Sequence, residues 1–263
     1  MSDSPLRAFR IEGPEVQAAL DWLHVHAELQ GVLEADDHVV VWLGETLPTL
    51  PFAELIVTEL AVDPAAAAIT GLEHDRAILV ADDLLVRPPW VARPPGFRGV
   101  ELVVPRGAAF GSGEHASTQA ALRVLHRLWN DPPSVADVGT GSGILLLYAA
   151  VRGGAALQGC DIDGPSVAAA RELLPQAVLT LGGPNTLAPA ACVIANMTGA
   201  ELTAAMDDIL RLWDRRGPLV LSGMRSHEVA PVSALVGLPP CAELQVLDFT
   251  ARAFVAPDRK SVV

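Results

Sequence analysis

Short apolar segments separated by polar stretches make up the first part of the chain. Residues 6–12 can form a strand, and residues 38–43 are rich in the β-branched residues typical of strands. Between them, apolar residues recur at helical spacing from Val16 to Ala27, after Pro14, which the first turn of a helix tolerates. Weaker patterns indicate strands at 54–60 and 77–80 and an alanine-rich helix opened by Asp63 and Pro64. We therefore expect a small α+β module.

From residue 100 onward, strand and helix patterns alternate regularly. Strands are predicted at 100–104, 134–138, 157–162, 192–196 and 219–223, helices at 118–129, 145–151, 166–174 and 201–213, and further β structure at 242–257. This alternation favours right-handed crossovers and a mostly parallel sheet with helices on both faces. The sequence thus predicts an α/β fold preceded by a small α+β domain.

A run of prolines separates the two patterns. Pro88, Pro89, Pro94 and Pro95 resist both helix and inner strand, so we place the domain boundary near residue 92. The predicted domains are residues 1–92 and residues 93–263. A length of 263 residues agrees with one large domain and a smaller companion, since domains average roughly 150 residues.

Composition and charge narrow the class of protein. The chain is 51% hydrophobic, which disfavours disorder. Its net charge of −13 disfavours nucleic-acid binding, which needs clustered Lys and Arg. Cys160, Cys192 and Cys241 form no CxxC pair, so neither a disulfide framework nor a metal site is indicated. Neither a secretory signal nor a membrane-spanning window is readable, so we expect a cytoplasmic protein.

The most specific chemical signal follows the strand predicted at 134–138. Residues 137–143 are Asp-Val-Gly-Thr-Gly-Ser-Gly, with the third glycine at 143, whereas a dinucleotide fingerprint places it at 144. Glycines allow the backbone to approach a ligand closely, and we expect a side chain at Gly143 to occupy ligand space. Asp137 would repel a pyrophosphate but suits an amino group or a sulfonium cation. A nucleotide without phosphates is therefore favoured over NAD or FAD.

Two acidic residues end the next predicted strand. Asp161 lies 161 − 139 = 22 residues after the first glycine, where a carboxylate can accept hydrogen bonds from both ribose hydroxyls. Asp163 is predicted to cap the following helix, which Gly164 and Pro165 open. Plain helix capping by the pair is the alternative.

These segments resemble motifs of a known enzyme class. Residues 137–143, 159–163 and 193–197 are similar to motifs I, II and IV of the seven-stranded S-adenosylmethionine-dependent methyltransferases. Residues 109–118, Ala-Phe-Gly-Ser-Gly-Glu-His-Ala-Ser-Thr, resemble a loop of the PrmA family, bacterial methyltransferases of ribosomal protein eleven of the large subunit. The resemblance covers residues 78–257 and implies a seven-stranded Rossmann-like sheet, S-adenosylmethionine as cofactor and S-adenosylhomocysteine as product.

The resemblance also implies roles for single residues. Phe110, Gly111 and Gly113 would shape the wall around the methionine part of the cofactor, and Thr118 would hydrogen-bond it. The cofactor-binding residues implied are Phe110, Gly111, Gly113, His115, Thr118, Asp137, Gly139, Thr140, Gly141, Gly143, Asp161, Ile162 and Asn196.

Three questions stay open at this site. Ser117 or Thr118 can cap the helix that follows the loop. His115 is either a cofactor-site residue or a local hydrogen-bonding residue. Residues 179–187 contain no acid where methyltransferases often bind adenine, so no adenine contact is assigned.

Asn196 and Met197 are the predicted catalytic residues. Asn196 ends a strand at the sheet edge where open α/β sheets bind ligands. Its amide oxygen can accept from the amine being methylated, and the backbone carbonyls of both residues can aim the nitrogen lone pair. A strand-end asparagine that only makes a turn is the alternative. No dedicated base is visible, so we expect deprotonation through water.

The leading hypothesis is a methyltransferase of protein amino groups, on a lysine side chain or an N-terminus, with a ribosomal protein as partner. A methyltransferase of a small molecule or peptide natural product would keep the same fold and cofactor. A non-catalytic cofactor-binding module is the alternative from another class. We expect a monomer that binds neither nucleic acid nor membrane.

Overall fold

The computed structural model describes residues 7–27, 29–34, 38–43, 46–60, 76–105, 110–154 and 156–257. The chain divides into two compact units, Met1–Asp75 and Arg76–Val263. The helix predicted to begin at Asp63 lies outside the described residues.

The first unit is an antiparallel sheet with one helix. Its strands are β1 (Arg7–Glu12), β2 (Leu29–Glu34), β3 (His38–Leu43) and β4 (Ile56–Leu60), in the order β2-β3-β1-β4, and helix α1 (Val16–His26) joins β1 to β2. Phe9, Ile11 and Val41 of the sheet share a buried core with Leu20 and Leu23 of the helix. The predicted α+β module is confirmed, and β2 is a strand that the sequence pattern did not reveal.

The second unit begins with a small sheet of three strands, β5 (Ile78–Ala81), β6 (Leu84–Arg87) and β7 (Val100–Val103). Strand β6 pairs antiparallel with β5 and parallel with β7. The structure therefore divides the chain before Arg76, not near residue 92 as the prolines suggested. Those prolines lie between β6 and β7, in a connection that makes no strand ladder and so tolerates residues without a backbone N–H.

A sheet of seven strands forms the body of the second unit. Its further strands are β8 (Ser134–Val138), β9 (Ala156–Asp161), β10 (Val178–Leu181), β11 (Cys192–Asn196), β12 (Leu219–Arg225), β13 (Ala242–Val246) and β14 (Phe249–Phe254), in the order β10-β9-β8-β11-β12-β14-β13. All neighbours from β10 to β12 are parallel, and β14 runs antiparallel to both of its neighbours.

Helices cover both faces of this sheet. They are α2 (Ala116–Leu128), α3 (Ile144–Val151), α4 (Gly164–Leu173), α5 (Gly199–Leu212) and α6 (Ser226–Val236), with one turn of 3-10 helix at Pro184–Thr186. Ile194 packs in a buried cluster with residues of α2, α3 and α4, and its neighbour Val193 packs in a second cluster with residues of α5 and α6. Successive strand residues face opposite sides of a sheet, so this arrangement confirms the predicted layered α/β fold.

One strand of the large sheet and one helix that packs on it were not given bounds by the sequence pattern, each for a physical reason. Strand β10 is at the edge of the sheet, and its Val178 and Leu181 are exposed, so it lacks the apolar run of a buried strand. Helix α6 contains Pro231, which sequence rules count against a helix interior. Within the described chain, no helix has the length and apolar character needed to cross a bilayer.

A series of polar side chains, buried at Tyr148 and exposed at Asp83, connects two helices to the β5–β6 turn. The Tyr148 hydroxyl lies 3.1 Å from His126 Nδ1, and His126 Nε2 lies 2.7 Å from Asp83 Oδ1. A carboxylate only accepts, so Nε2 carries the ring proton and Nδ1 accepts from Tyr148. Burial raises the pKa of Tyr148 to about 12, which keeps its hydroxyl a donor.

We expect Tyr148→Phe to lower the free energy of unfolding by about 1 kcal/mol, because His126 Nδ1 loses its donor while the ring can still pack against Trp129. Chemical denaturation of the variant and the parent at one pH measures this difference. Equal midpoints and slopes would show that the hydrogen bond between Tyr148 and His126 contributes nothing to stability.

Candidate functional site

The predicted site residues come together at one edge of the large sheet. Asp137, Asp161 and Asn196 lie at the carboxyl ends of β8, β9 and β11, and β8 lies between the other two strands. Parallel strands end at the same edge, so their last residues and the loops that follow share one crevice. The loop from Phe110 to His115 reaches the same place, because it leads into α2 and hydrogen-bonds the glycine loop after β8.

The glycine loop is hydrogen-bonded to both of its neighbours. The Gly141 N–H donates to Asp161 Oδ2 at 2.8 Å. The Ser142 N–H donates to the Phe110 carbonyl at 2.8 Å, and the Ser142 hydroxyl donates to the Gly111 carbonyl at 2.7 Å. Three separate segments are thereby held in one arrangement. Ser142 was not among the predicted site residues, although its place between two glycines was the available signal.

Two glycines of this loop are favoured for different reasons, a close backbone approach at Gly141 and backbone conformation at Gly139. A Cβ at Gly141 would lie 2.5 Å from the Phe110 carbonyl oxygen, and one at Gly139 would lie 2.9 Å from Met197 Sδ. Both residues also have positive φ, at 52° and 69°. A larger residue at 141 would separate the glycine loop from the Phe110 backbone, whereas at 139 the Met197 side chain could move and the positive φ is the main constraint.

Gly143 has a different neighbourhood from the one expected. A Cβ there would lie 3.3 Å from both Ala170 Cβ and Leu174 Cδ1, so the position faces helix α4 and the residue after it. The expectation that a side chain at 143 enters ligand space is therefore wrong, since the missing side chain makes room for helix packing. Its φ of 85° independently favours glycine.

The two acids after β9 have separate tasks. Asp163 caps α4, because its Oδ2 accepts from the Ser166 N–H at 2.8 Å and the Ser166 hydroxyl at 2.7 Å. Asp161 accepts from the Gly141 N–H through Oδ2 and from the Asp163 N–H through Oδ1. Each carboxylate oxygen has a second lone pair, so Asp161 can still accept from ribose hydroxyls. Ile162 beside it is 82% exposed and offers an apolar contact at the rim.

Asp137 is the most perturbed ionisable group of the site. Its side chain is fully buried, Oδ2 accepts from the Thr140 hydroxyl at 2.9 Å, and Oδ1 has no partner among the described residues. Burial raises the pKa of Asp137 to about 8, with a further increase from the charge of Asp161, against the lowering effect of the Thr140 bond. A carboxylate in this state favours a cationic neighbour, because the cation would offset the cost of desolvation.

His115 is the N-cap residue of α2. Its Nδ1 accepts from the Ser117 N–H at 3.3 Å and lies 2.7 Å from the Ser117 hydroxyl. The cap is therefore His115 rather than Ser117 or Thr118. His115 makes local hydrogen bonds, and its part in cofactor binding stays a prediction. The His115 ring also packs edge-on between Phe110 and Phe249, with centroids 5.0 and 4.6 Å away.

Phe249 is a site neighbour that sequence analysis missed. It is the first residue of β14, and because β14 runs antiparallel to β12, it pairs with Arg225 at the end of β12. The Arg225 guanidinium lies over the Phe249 ring at 5.2 Å. The sequence signal for a site role was an aromatic residue near the turn of the last hairpin. The direction of β14 was needed to place that residue beside the site.

Asn196 is held by Thr118. The Asn196 Nδ2 donates to Thr118 Oγ1 at 3.3 Å, and Asn196 Oδ1 is buried without a partner among the described residues. The side chain therefore makes no turn of its own, and its free acceptor is the oxygen that an amine would need. Met197 follows, and its carbonyl oxygen would collide with a Cβ at Gly223, so the close packing of these segments requires glycine there.

The residues present fit a nucleoside that carries a positive charge. Asp161 and Ile162 can bind a ribose and an apolar ring face, the exposed Phe110 can cover the ligand, and Asp137 can face its cationic end. Among the residues that the structure describes, no group of three or more His, Cys, Asp or Glu is placed to hold a metal ion.

Comparison with known proteins points to one family. A family model described as "Ribosomal protein L11 methyltransferase (PrmA)" matches residues 76–236. The chain is similar to the ribosomal protein L11 methyltransferase of Syntrophotalea carbinolica, with 31% identity over 75% of this chain and 67% of that protein. The protein of the same name from Dechloromonas aromatica is 28% identical over 80% of this chain and 73% of its own length.

The chain spans only about two thirds of the length of several curated relatives, 67% and 65% for two of them. Among solved structures, a ribosomal protein L11 methylase from Lactobacillus delbrueckii subsp. bulgaricus matches with a TM-score of 0.60 and 22% identity, covering 67% of this chain and 96% of that one. At that identity the structural match shows the fold alone, in agreement with the seven-stranded sheet.

We expect Asp137→Asn to stabilise the protein increasingly from about pH 4 to pH 8. Burial raises the pKa of Asp137 from its ordinary value of 3.8 to about 8 in the fold. Between these values the unfolded chain releases a proton that the folded chain retains, so the parent loses roughly 1.4 kcal/mol of stability per pH unit, while asparagine cannot ionise.

Denaturation midpoints of the parent and the variant across this pH range measure the effect, and the difference should stop growing above pH 8. The comparison at pH 4 is the internal control, because both side chains are neutral there in the fold. A difference that does not change with pH would contradict the raised pKa.

Proposed function

The chain belongs to the ribosomal protein L11 methyltransferase (PrmA) family, and from this premise we propose that it transfers a methyl group from S-adenosylmethionine to an amino group of a large-subunit ribosomal protein in the cytoplasm. S-Adenosylhomocysteine is the second product. The chemistry is supplied by the cofactor, whose sulfonium makes the methyl group susceptible to attack by a nitrogen lone pair.

The observation that carries this proposal is a pair of buried oxygens without partners on adjacent strands. Asp137 Oδ1 at the end of β8 and Asn196 Oδ1 at the end of β11 are both orphaned within the described chain. A buried unpaired acceptor costs about 1 to 3 kcal/mol, so a protein retains one where a ligand satisfies it. The carboxylate suits the cationic end of the cofactor, and the amide oxygen suits an amine N–H.

The residues of the chain hold and orient the reactants. Asp161 binds the ribose, the loop from Phe110 to Gly113 covers the methionine part, and Asp137 attracts its positive charge. Asn196 accepts a hydrogen bond from the substrate amine and directs its lone pair, and Thr118 keeps the amide in the orientation that presents Oδ1. Phe110 and Phe249 flank His115 and limit the entry of water beside the amine.

The amine must be neutral before it attacks. A lysine with a pKa near 10.4 is only about 0.1% neutral at pH 7.4, which corresponds to roughly 4 kcal/mol. The buried surroundings of Asn196 lower this cost by disfavouring the charged amine. His115 does not serve as the base through Nδ1, because that nitrogen accepts from Ser117. Proton loss through water before attack is the route we propose.

The proposal is tested by methyl transfer from radiolabelled S-adenosylmethionine into an extract of the source organism, separated into protein and small-molecule fractions. We expect label in one protein of ribosomal size. Asn196→Ala should reduce this transfer about 100-fold while leaving cofactor affinity unchanged, because only orientation of the amine is lost.

Thr118→Val tests whether Thr118 positions the Asn196 amide, and it is compared with Asn196→Ala. It leaves Asn196 in place but removes the oxygen that accepts from Nδ2, so it should lower kcat by less than Asn196→Ala and leave KM nearly unchanged. Label confined to small molecules would overturn the protein substrate. Wild-type turnover by Asn196→Ala would overturn the orienting role.

Cofactor affinity should rise with pH and level off near pH 8. Asp137 must lose its proton to attract a cation, and its pKa in the fold is about 8, so below that pH the affinity should rise by up to about tenfold per pH unit. Calorimetry with S-adenosylmethionine measures this. Asp137→Asn should bind weakly with a flat profile, whereas Asp163→Asn, which removes the same charge from a helix cap, should retain the slope. An affinity of the parent that does not vary with pH would contradict this role.

A further inference from the structure

An open groove runs along strand β5 and one side of helix α2, within the second unit. Two adjoining cavities of about 450 and 320 Å³ form it, and Leu79 of β5 lines both. Gln119 lines the cavity nearer the start of α2, and Arg123 and Arg127 line the one farther along. These three residues follow one another at a spacing of four, so they lie on one face of the helix.

Three arginines in this groove have no carboxylate partner among the described residues. They are Arg76, Arg123 and Arg127. Arg123 Nε donates a hydrogen bond to the backbone carbonyl of Val80 at 2.6 Å, which leaves its charge without a counterion in the described part of the chain. Arginines elsewhere that do have such partners are Arg7, Arg10, Arg87, Arg93, Arg211, Arg216 and Arg252. Other arginines without an ion pair to a described carboxylate are Arg98, Arg152, Arg171 and Arg215, but none of them lines this groove. A cluster of unneutralised arginines is unexpected in a chain with a net charge of −13.

The groove also has the shape of a site for an extended chain. Strand β5 is an edge strand, because β6 is its only neighbour in the three-stranded sheet. Edge strands leave main-chain groups available for pairing with a further strand. Leu79 is 55% exposed and Leu244 lines the same cavity, so the groove offers apolar contacts as well as charged ones. Helix α2 is about 20 Å long, which matches about six extended residues.

The groove begins at the catalytic end of α2. Gln119 follows directly after Thr118, which holds Asn196, and Glu114 precedes the His115 cap. A chain lying in the groove would therefore have one end close to the position of the amine.

We propose that this groove binds an extended acidic segment of the protein that is methylated. The inference rests on the proposed function, since it assigns a docking surface to that substrate. Arginine guanidinium groups pair with carboxylates in a fixed geometry, and three of them provide specific recognition along the groove. Asp82 and Glu114 also line it, so the groove is not uniformly basic. A peptide is favoured over a nucleic acid because the edge of β5 can pair with a peptide main chain and not with a sugar-phosphate backbone.

The test measures binding of a fluorescent oligo-glutamate of about six residues, a length that spans the groove, to the full chain at low salt. Arg76→Glu with Arg127→Glu is the test variant, because neither side chain makes a hydrogen bond or ion pair with another described residue. The double substitution should weaken binding by about tenfold or more, and salt should weaken binding to the parent. Arg211→Glu with Arg216→Glu, on α5 and the turn after it, gives the same change in net charge and should bind as the parent does.

The kinetic counterpart is the methylation of the labelled protein. The test variant should raise KM for that protein about tenfold while kcat and S-adenosylmethionine affinity stay at parental values. Absence of oligo-glutamate binding, or equal binding by all three proteins, would overturn the groove. Tighter binding of an oligouridylate of equal charge would overturn it in favour of nucleic acid. The peptide assay needs no methyl transfer, so its failure is distinguishable from failure of the proposed function.

Discussion

The site depends on the close contact between the glycine loop after β8 and the two segments beside it. Gly141 binds the Asp161 carboxylate through its N–H, and Ser142 binds the carbonyls of Phe110 and Gly111. The contact is possible because Gly141 has no Cβ, which would collide with the Phe110 carbonyl. One short loop therefore sets the distances between the ribose-binding Asp161, the covering Phe110 and Asp137, which faces the positive charge of the ligand.

Within that frame, the protein keeps two oxygens in an unfavourable state. Asp137 is buried with a raised pKa and one unpaired oxygen, and Asn196 has an amide oxygen without a partner in the described chain. Both features reduce the stability of the folded protein in the absence of a ligand. Both also supply interactions that form only when reactants are present, which is the condition for binding energy to serve the reaction. A more stable protein without them would be expected to function less well.

Helix α2 links the catalytic end to the proposed docking groove. At its start, His115 caps the helix by accepting from the Ser117 N–H, and Thr118 in the first turn orients Asn196. Its exposed side carries Arg123 and Arg127 beside an edge strand. A single rigid element can therefore position the reacting amine and bind the chain that carries it, which reduces the freedom lost when the substrate docks.

The sequence by itself determined the alternation of strands and helices from residue 100 onward and the family, because periodicity and the glycine motif are local properties of the chain. It also placed Asp137, Asp161 and Asn196 at one sheet edge, since parallel strands share their carboxyl ends. Only the tertiary structure decided the division before Arg76, the orientation of Gly143 toward α4, the Thr118–Asn196 bond and the place of Phe249. Each of these depends on which distant segments meet and in which direction their strands run, and no local pattern records that.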